Sequence, residues 1–279
     1  LGVPYLLWSV IGFVITYLSE FSPLFYTSLK ETGLAQISDK IFFISQYTWL
    51  EGIGRLFFVP IAFQLWFIRV LLFYNIIYPF IRFGIQKIPY VWFPFWFLFW
   101  YLSMNLYLIE GGILFFSLGV WIQKNNFDIE KPKKYLNPSI FLSIFIVCSI
   151  LRTILAFQGY NFLSGYNGLV THTLYKIIEI SGFVGIWFGC DKIVKYAVKQ
   201  SFIQFLMPFS FMIYAFHVPI LYYIMHIANI GLKEWTIYYR FINFMFIPIL
   251  IIGCSVCVGF VLRKFTPNLY KILTGGRGL

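Results

Sequence analysis

Long apolar runs separated by short polar links repeat along nearly the whole chain, and they predict helices of membrane-crossing length. Eight such runs fall at about 2–24, 61–83, 88–106, 107–122, 139–159, 171–190, 202–227 and 240–263. The third and fourth are joined by almost nothing, with their boundary between Asn105 and Glu110. Prolines stand mostly near run ends, where they are tolerated, but Pro219 and Pro248 fall inside runs and should bend them. The longest link covers about residues 25–60. Within it, the stretch from Ile41 to Leu50 is too short to span and too apolar for a free loop. It is expected to lie in the membrane interface or to fold back over the bundle. No internal repeat or low-complexity tract interrupts the pattern. The expected fold is all-α, a polytopic integral membrane helix bundle of about eight transmembrane helices, with residues 1–279 forming a single domain.

Composition strengthens this reading. Hydrophobic residues make up 60 % of the chain and charged residues 11 %, where a soluble domain carries about 25 % charged. The 35 Phe, 20 Tyr and 9 Trp suit a lipid-facing surface with aromatic belts. Charge adds an orientation. The links after the second, fourth and sixth runs, with the C-terminal tail, hold 13 of the 21 Lys and Arg, whereas the opposite links hold five. Basic links face the cytoplasm, so both ends of the chain are expected there, in the inner (plasma) membrane. The net charge of +11 is spread over four separate links on one membrane face. Topology and anionic lipid account for that spread, and nucleic-acid binding does not.

The chain opens on Leu1 rather than Met, without a basic stretch, short apolar core and cleavage site. Loss of upstream sequence is expected. Cys148, Cys190, Cys254 and Cys257 sit in or beside apolar runs. They read as small buried side chains; the C-x-x-C pair has no second pair or nearby His to complete a zinc site, and no metal is expected.

Three cations remain inside the runs: Arg69, Arg152 and Lys176. Arg69, Arg152 and the ionisable His217 fall about 12, 10 and 15 Å below the outer membrane face at a rise of about 1.5 Å per residue. His172, Lys176 and Glu179 share a face of the sixth run, and Ser210, Tyr214 and His217 share a face of the seventh. Ionisable groups at that depth turn inward. The set Arg69, Arg152, Lys176, Glu179, Tyr214 and His217 therefore reads as a hydrated or ion-paired interior opening outward, with Glu110 near its mouth. Plainer roles stand beside this one. Lys176 and His172 could snorkel to the interface, and Glu179 could simply neutralise Lys176 or Arg152. Arg69 and Arg152 could cap carbonyls or pair with acids, and His217 could be a hydrogen-bonded core histidine. Gly182, Gly185 and Gly189 fit close helix packing, and His226 fits an interfacial place. The chemistry suits anionic or hydroxyl-bearing substrates: Arg for carboxylate or phosphate, His as base toward a hydroxyl, Tyr as donor to an oxyanion. No G-x-S-x-G elbow, P-loop or H-E-x-x-H motif is present.

Four stretches, in order, resemble the acyltransferase 3 family of integral membrane acyltransferases. Val3-Pro-Tyr-Leu-Leu-Trp8 is similar to the start of the family's third helix, and Gln64-Leu-Trp-Phe-Ile-Arg69 to its tryptophan-phenylalanine-x-arginine motif. Gly112-Ile-Leu-Phe-Phe-Ser-Leu-Gly119 resembles a later phenylalanine-rich helix, and Phe209-Ser-Phe-Met-Ile-Tyr-Ala-Phe-His217 the tyrosine and histidine signature near the end. The resemblance implies a bundle of about ten helices with both ends cytoplasmic, so the first two are expected to be missing here. It also implies transfer of an acyl group, often acetyl, from cytoplasmic acyl-CoA to a hydroxyl of an envelope carbohydrate, lipid-linked sugar or related acceptor. No cofactor is bound on that reading; acyl-CoA is a donor substrate, and the partners are the acceptor and the bilayer.

On this reading His217, Tyr214 and Arg69 serve catalysis, while Arg152, Glu179, Lys176 and Trp66 serve substrate binding. The family's first helix carries an arginine and a histidine regarded as central, and no segment here matches it. His217 and Arg69 would then be supporting residues, and no transfer is expected from this chain alone. A transporter or flippase of lipid-linked sugars is the main alternative, and a non-enzymatic membrane scaffold the last.

Overall fold

The computed structural model describes residues 1–102, 112–130, 135–158, 167–232 and 237–278. The expected junction between Asn105 and Glu110, and Lys131, Lys133, Lys134 and Lys233, lie outside the described residues. The described residues are mostly helical and form no strand beyond an isolated bridge between Ser38 and Ile41. It begins with α1 (Gly2–Ser19), α2 (Pro23–Thr32), α3 (Trp49–Phe57) and α4 (Trp66–Ile76). There follow α5 (Tyr78–Lys87), α6 (Pro89–Tyr101), α7 (Gly112–Lys124), α8 (Pro138–Gln158), α9 (Asn167–Gly189) and α10 (Asp191–Ala197). The last four are α11 (Ser201–Leu206), α12 (Ser210–Leu232), α13 (Ile237–Phe265) and α14 (Pro267–Thr274). Proline opens α2, α6, α8 and α14, where its missing N–H would have been unpaired in any case.

Five helical stretches, within α1, α8, α9, α11–α12 and α13, are long and apolar enough to cross a membrane. The segments either side of Ile77 make a sixth if counted as one interrupted span. The expected run 61–83 is thus divided, and Pro79 starts α5 rather than ending a span. The expected runs 88–106 and 107–122 appear as α6 and α7, each of 13 residues. The run 202–227 is interrupted twice, by a 3-10 turn at Met207–Phe209 that contains Pro208 and by non-helical backbone at Val218. By contrast α13 is assigned as one helix through Pro248.

The chain forms two compact units, one of Leu1–Ile76 with Phe202–Leu279, the other of Ile77–Ser201. In the first, Tyr5 and Trp8 of α1, Ala62, Leu65, Ile68 of α4, Met212 and Ala215 of α12, and Leu273 of α14 make a core. The link 25–60 is folded rather than free. Its residues Ala35 and Ile44 bury with Ile61, just beyond its end, against Phe13 and Tyr47, and the Glu20 carboxylate accepts hydrogen bonds from the Ile44 and Ser45 amides. The stretch from Ile41 therefore folds back onto α1, and only with Trp49 and Leu50, 73 % and 62 % exposed, does it turn its apolar side outward.

In the second unit α8 lies along α9. A Cβ on Gly182 would come within 2.8 Å of Phe145, and one on Gly185 within 3.0 Å of the Leu142 backbone nitrogen. Close helix approach, not ligand binding, explains these glycines. Trp92 of α6 sits so tightly on Gly84 of α5 that a Cβ there would fall 2.0 Å from the indole. Apart from Arg152 and a few Ser and Thr, the exposed side chains of α8 are apolar, as suits a lipid-facing helix.

Candidate functional site

The irregular point of the first unit is Val218, with φ −119° and ψ 136° inside α12. The residue before a proline is pushed out of the helical region, and here Pro219 follows. Proline also has no N–H, so the carbonyl four residues earlier, Ala215, loses its helical donor. That carbonyl is met by a side chain from 151 residues away: Gln64 Nε2 donates to Ala215 O at 2.8 Å and to Val218 O at 3.1 Å. Gln64 comes from a 3-10 turn, Phe63–Leu65, that enters α4, and it is 4 % exposed. Its backbone carbonyl in turn accepts the Tyr214 hydroxyl. Gln64 Oε1 is buried without a hydrogen-bond partner, which costs about 1–3 kcal/mol unless something donates to it.

His217 stands between these contacts. Its Nδ1 lies 2.8 Å from Tyr214 O and 3.3 Å from Ile213 O. A carbonyl only accepts, so Nδ1 carries a proton, and in the neutral ring the lone pair is then on Nε2. The ring is half-buried, with the Tyr214 ring 6.4 Å away. A neutral imidazole held by one nitrogen and free to accept at the other is the arrangement a general base needs.

Arg69 has a structural partner. Its Nη1 donates to Phe58 O at the C-terminal end of α3, and the Tyr5 hydroxyl donates to the adjoining Phe57 O at 2.8 Å. Carbonyls at a helix end lack intrahelical donors, and a cation there also meets the negative end of the helix dipole. Trp66 is 45 % exposed with its indole against Phe67, and it does not join Gln64, Tyr214 and His217.

The remaining candidates lie in the second unit. Lys176 Nζ pairs with Glu179 Oε2 at 3.2 Å and sits over the Trp100 ring at 4.5 Å. Lys176 is 7 % exposed, so it is held inside by an anion and an aromatic face rather than reaching for the interface. Arg152, exposed, lies over the Tyr175 ring at 5.0 Å. His172 Nε2 meets the Tyr101 carbonyl at the end of α6, and the Tyr101 hydroxyl bonds Thr173 at 3.0 Å. The expected set therefore divides, with Arg69, Tyr214 and His217 in one unit and Arg152, Lys176 and Glu179 in the other. Among the described residues no group of three or more His, Cys, Asp or Glu is placed to hold a metal.

Gln64, Tyr5 and Trp8 were not singled out as site residues by sequence reasoning, although the motif stretches contain them. Trp8 Nε1 donates to Leu273 O at 3.0 Å. The signal that could have found Gln64 is Pro219 itself, which obliges some distant donor to reach Ala215.

The family described as an acyltransferase domain matches residues 1–264 of the chain. No curated protein and no solved structure matches it.

Proposed function

The chain belongs to the acyltransferase 3 family, and from that premise we propose that it moves an acyl group, in the simplest case acetyl, from acyl-CoA to a hydroxyl of an envelope carbohydrate or a related lipid-linked acceptor. The observation that carries the reading is His217, whose Nδ1–H donates to Tyr214 O, so that the neutral ring presents its lone pair at Nε2. Nε2 takes the proton of the acceptor hydroxyl as its oxygen attacks the thioester carbonyl carbon. The carbon–sulfur bond breaks, CoA leaves as a thiolate, and the thiolate takes up the proton, returning His217 to its neutral form. Tyr214 and Arg69 support this residue: the first ties α12 to Gln64, the second holds the end of α3. Within the second unit, the exposed Arg152 is the candidate for holding an anionic group, and Lys176 is neutralised by Glu179. The basic links favour an inner-membrane setting with both ends of this chain, and the acyl-CoA, on the cytoplasmic side.

The test compares membranes from cells carrying the gene in wild-type, His217→Ala and His217→Gln forms, scoring thiol release from acetyl-CoA with envelope acceptor added. Release should depend on acceptor and fall about 10²–10⁴-fold in both variants. A folded wild-type protein that releases no thiol while substrate crosses the membrane unmodified would overturn the reading in favour of transport.

A further inference from the structure

We propose that Gln64 is a positioning residue for this reaction, holding open the break in α12 beside His217 so that Gln64, Tyr214 and His217 are left with only hydrogen-bond acceptors to offer, and that the group received there is the acceptor alcohol. The inference rests on the acyl-transfer reading above and names which of its two substrates this place takes.

Counting hydrogens makes the case. Gln64 Nε2 has two, and they go to Ala215 O and Val218 O. The Tyr214 hydroxyl hydrogen goes to Gln64 O. The Nδ1 hydrogen of His217 goes to Tyr214 O. Every side-chain donor of the three residues is therefore spent on a main-chain carbonyl. What remains is acceptor capacity: Gln64 Oε1, buried and without a partner, and His217 Nε2. The orientation of the Gln64 amide is fixed by chemistry, because two carbonyls can be satisfied only by its nitrogen.

An acceptor-lined break discriminates. A phosphate, a carboxylate or a thioester oxygen brings further acceptors and finds no donor among these three residues. A hydroxyl brings the hydrogen that is lacking, and its proton is the one His217 must remove. Tyr214, whose hydrogen is committed to Gln64, is accordingly a brace rather than an oxyanion donor. Gln64 also explains how the break persists. The carbonyls it satisfies lie two residues before and one residue after His217, so a non-helical segment inside an apolar helix keeps its polar groups paired through protein.

The experiment uses Gln64→Leu, Pro219→Ala and their combination in the membrane-embedded protein, with thermal unfolding and acyl transfer from acetyl-CoA to an alcohol acceptor measured side by side. In Gln64→Leu both carbonyls lose their donor. Tm should fall, kcat/KM for the alcohol should fall about 10–100-fold, and KM for acetyl-CoA should stay unchanged. Adding Pro219→Ala supplies an N–H that can bond Ala215 O in a closed helix, so Tm should recover while transfer does not. Two results overturn the proposal: wild-type kcat/KM for the alcohol in Gln64→Leu, or transfer that returns in step with Tm in the double variant, which would make Gln64 a fold-stabilising residue only. Wild-type protein that releases no thiol sinks the reaction instead, and the Tm arm still judges whether Gln64 holds the break.

Discussion

The two units of this chain hold their cations in different ways. In the first, cations and imidazoles are directed at the main chain. Arg55 donates to Leu34 O, Arg69 to Phe58 O, His217 to Tyr214 O and His226 to Leu24 O. In the second, the two interior cations meet side chains instead, Lys176 with Glu179 and Trp100 and Arg152 with Tyr175, while its imidazole, His172, still meets the Tyr101 carbonyl. The difference follows from backbone regularity. The first unit carries short helices, 3-10 turns and the Val218 break, each of which frees carbonyls that lipid cannot satisfy. The long uninterrupted α8 and α9 of the second satisfy their own, and their buried charge needs only a counter-charge. Irregular backbone is costly in an apolar setting, and α12 carries it on both sides of the stretch that holds His217, at Met207–Phe209 and at Val218.

The largest effect expected from breaking this contrast is in the second unit. Glu179→Leu leaves the Lys176 ammonium buried with an aromatic face but no anion. Removing one partner of a fully buried pair costs about 3–5 kcal/mol; the Glu179 side chain is 35 % exposed, so a loss of about 2 kcal/mol is expected. Lys176→Met combined with Glu179→Leu should regain most of it, measured by thermal unfolding in detergent. An unchanged Tm in Glu179→Leu would mean that Trp100 alone suffices and that side-chain pairing does not organise this unit.

Much of the contrast was written in the chain, but only where the signal is local. The apolar runs at 139–159 and 240–263 return as α8 and α13 within a few residues, because length and hydropathy decide a span. Pro219 announced a bend, and the break falls on the residue before it. The membrane-helix class and the family were legible for the same reason. What could not be read is pairing over distance. Nothing near Gln64 says that its amide reaches Ala215, and nothing near Arg69 says that Phe58 O awaits it. Depth along a helix, estimated from rise per residue, put Arg69, Arg152 and His217 at one level without fixing which neighbours each would meet. The division at Ile77 was missed because the apolar run is unbroken there, and Pro79 marks the start of a new helix as readily as the end of an old one.

A smaller effect is expected in the first unit, and it separates a capping arginine from one that grips substrate. Arg69→Met removes the donor to Phe58 O and should cost about 1–2 kcal/mol, with faster hydrogen exchange through α3. Arg69→Lys keeps one donor and a positive charge, so it should lose less than about 1 kcal/mol and retain most of the transfer activity. A carboxylate or phosphate held by the guanidinium fork would instead make the lysine nearly as poor as methionine. Equal loss of activity in the two variants, with Tm preserved in the lysine, would move Arg69 from the fold to the substrate.

The smallest effect tests whether the first unit's dependence on main-chain capping reaches its surface. At the start of α3, Thr48 N and Oγ1 donate to Glu51 Oε2 at 2.7 and 2.8 Å, and Glu51 N donates to Thr48 Oγ1 at 3.4 Å. Those bonds from the Thr48 amide and hydroxyl hold the Glu51 carboxyl below its ordinary value of 4.5. The folded form thus binds the proton less readily than the unfolded one. Its contribution is complete above the ordinary value and is lost as pH falls through the lowered one. Amides in the first turn of α3 should therefore lose protection as the solution is taken below about pH 4, while those of α8, which has no acid to titrate, should not. Glu51→Gln keeps an acceptor for the Thr48 amide at every pH, so it should remove the pH dependence and leave the helix capped. Protection in α3 that tracks α8 across the acid range would show that this cap carries no weight, and that the reliance on main-chain capping is confined to the interior around His217.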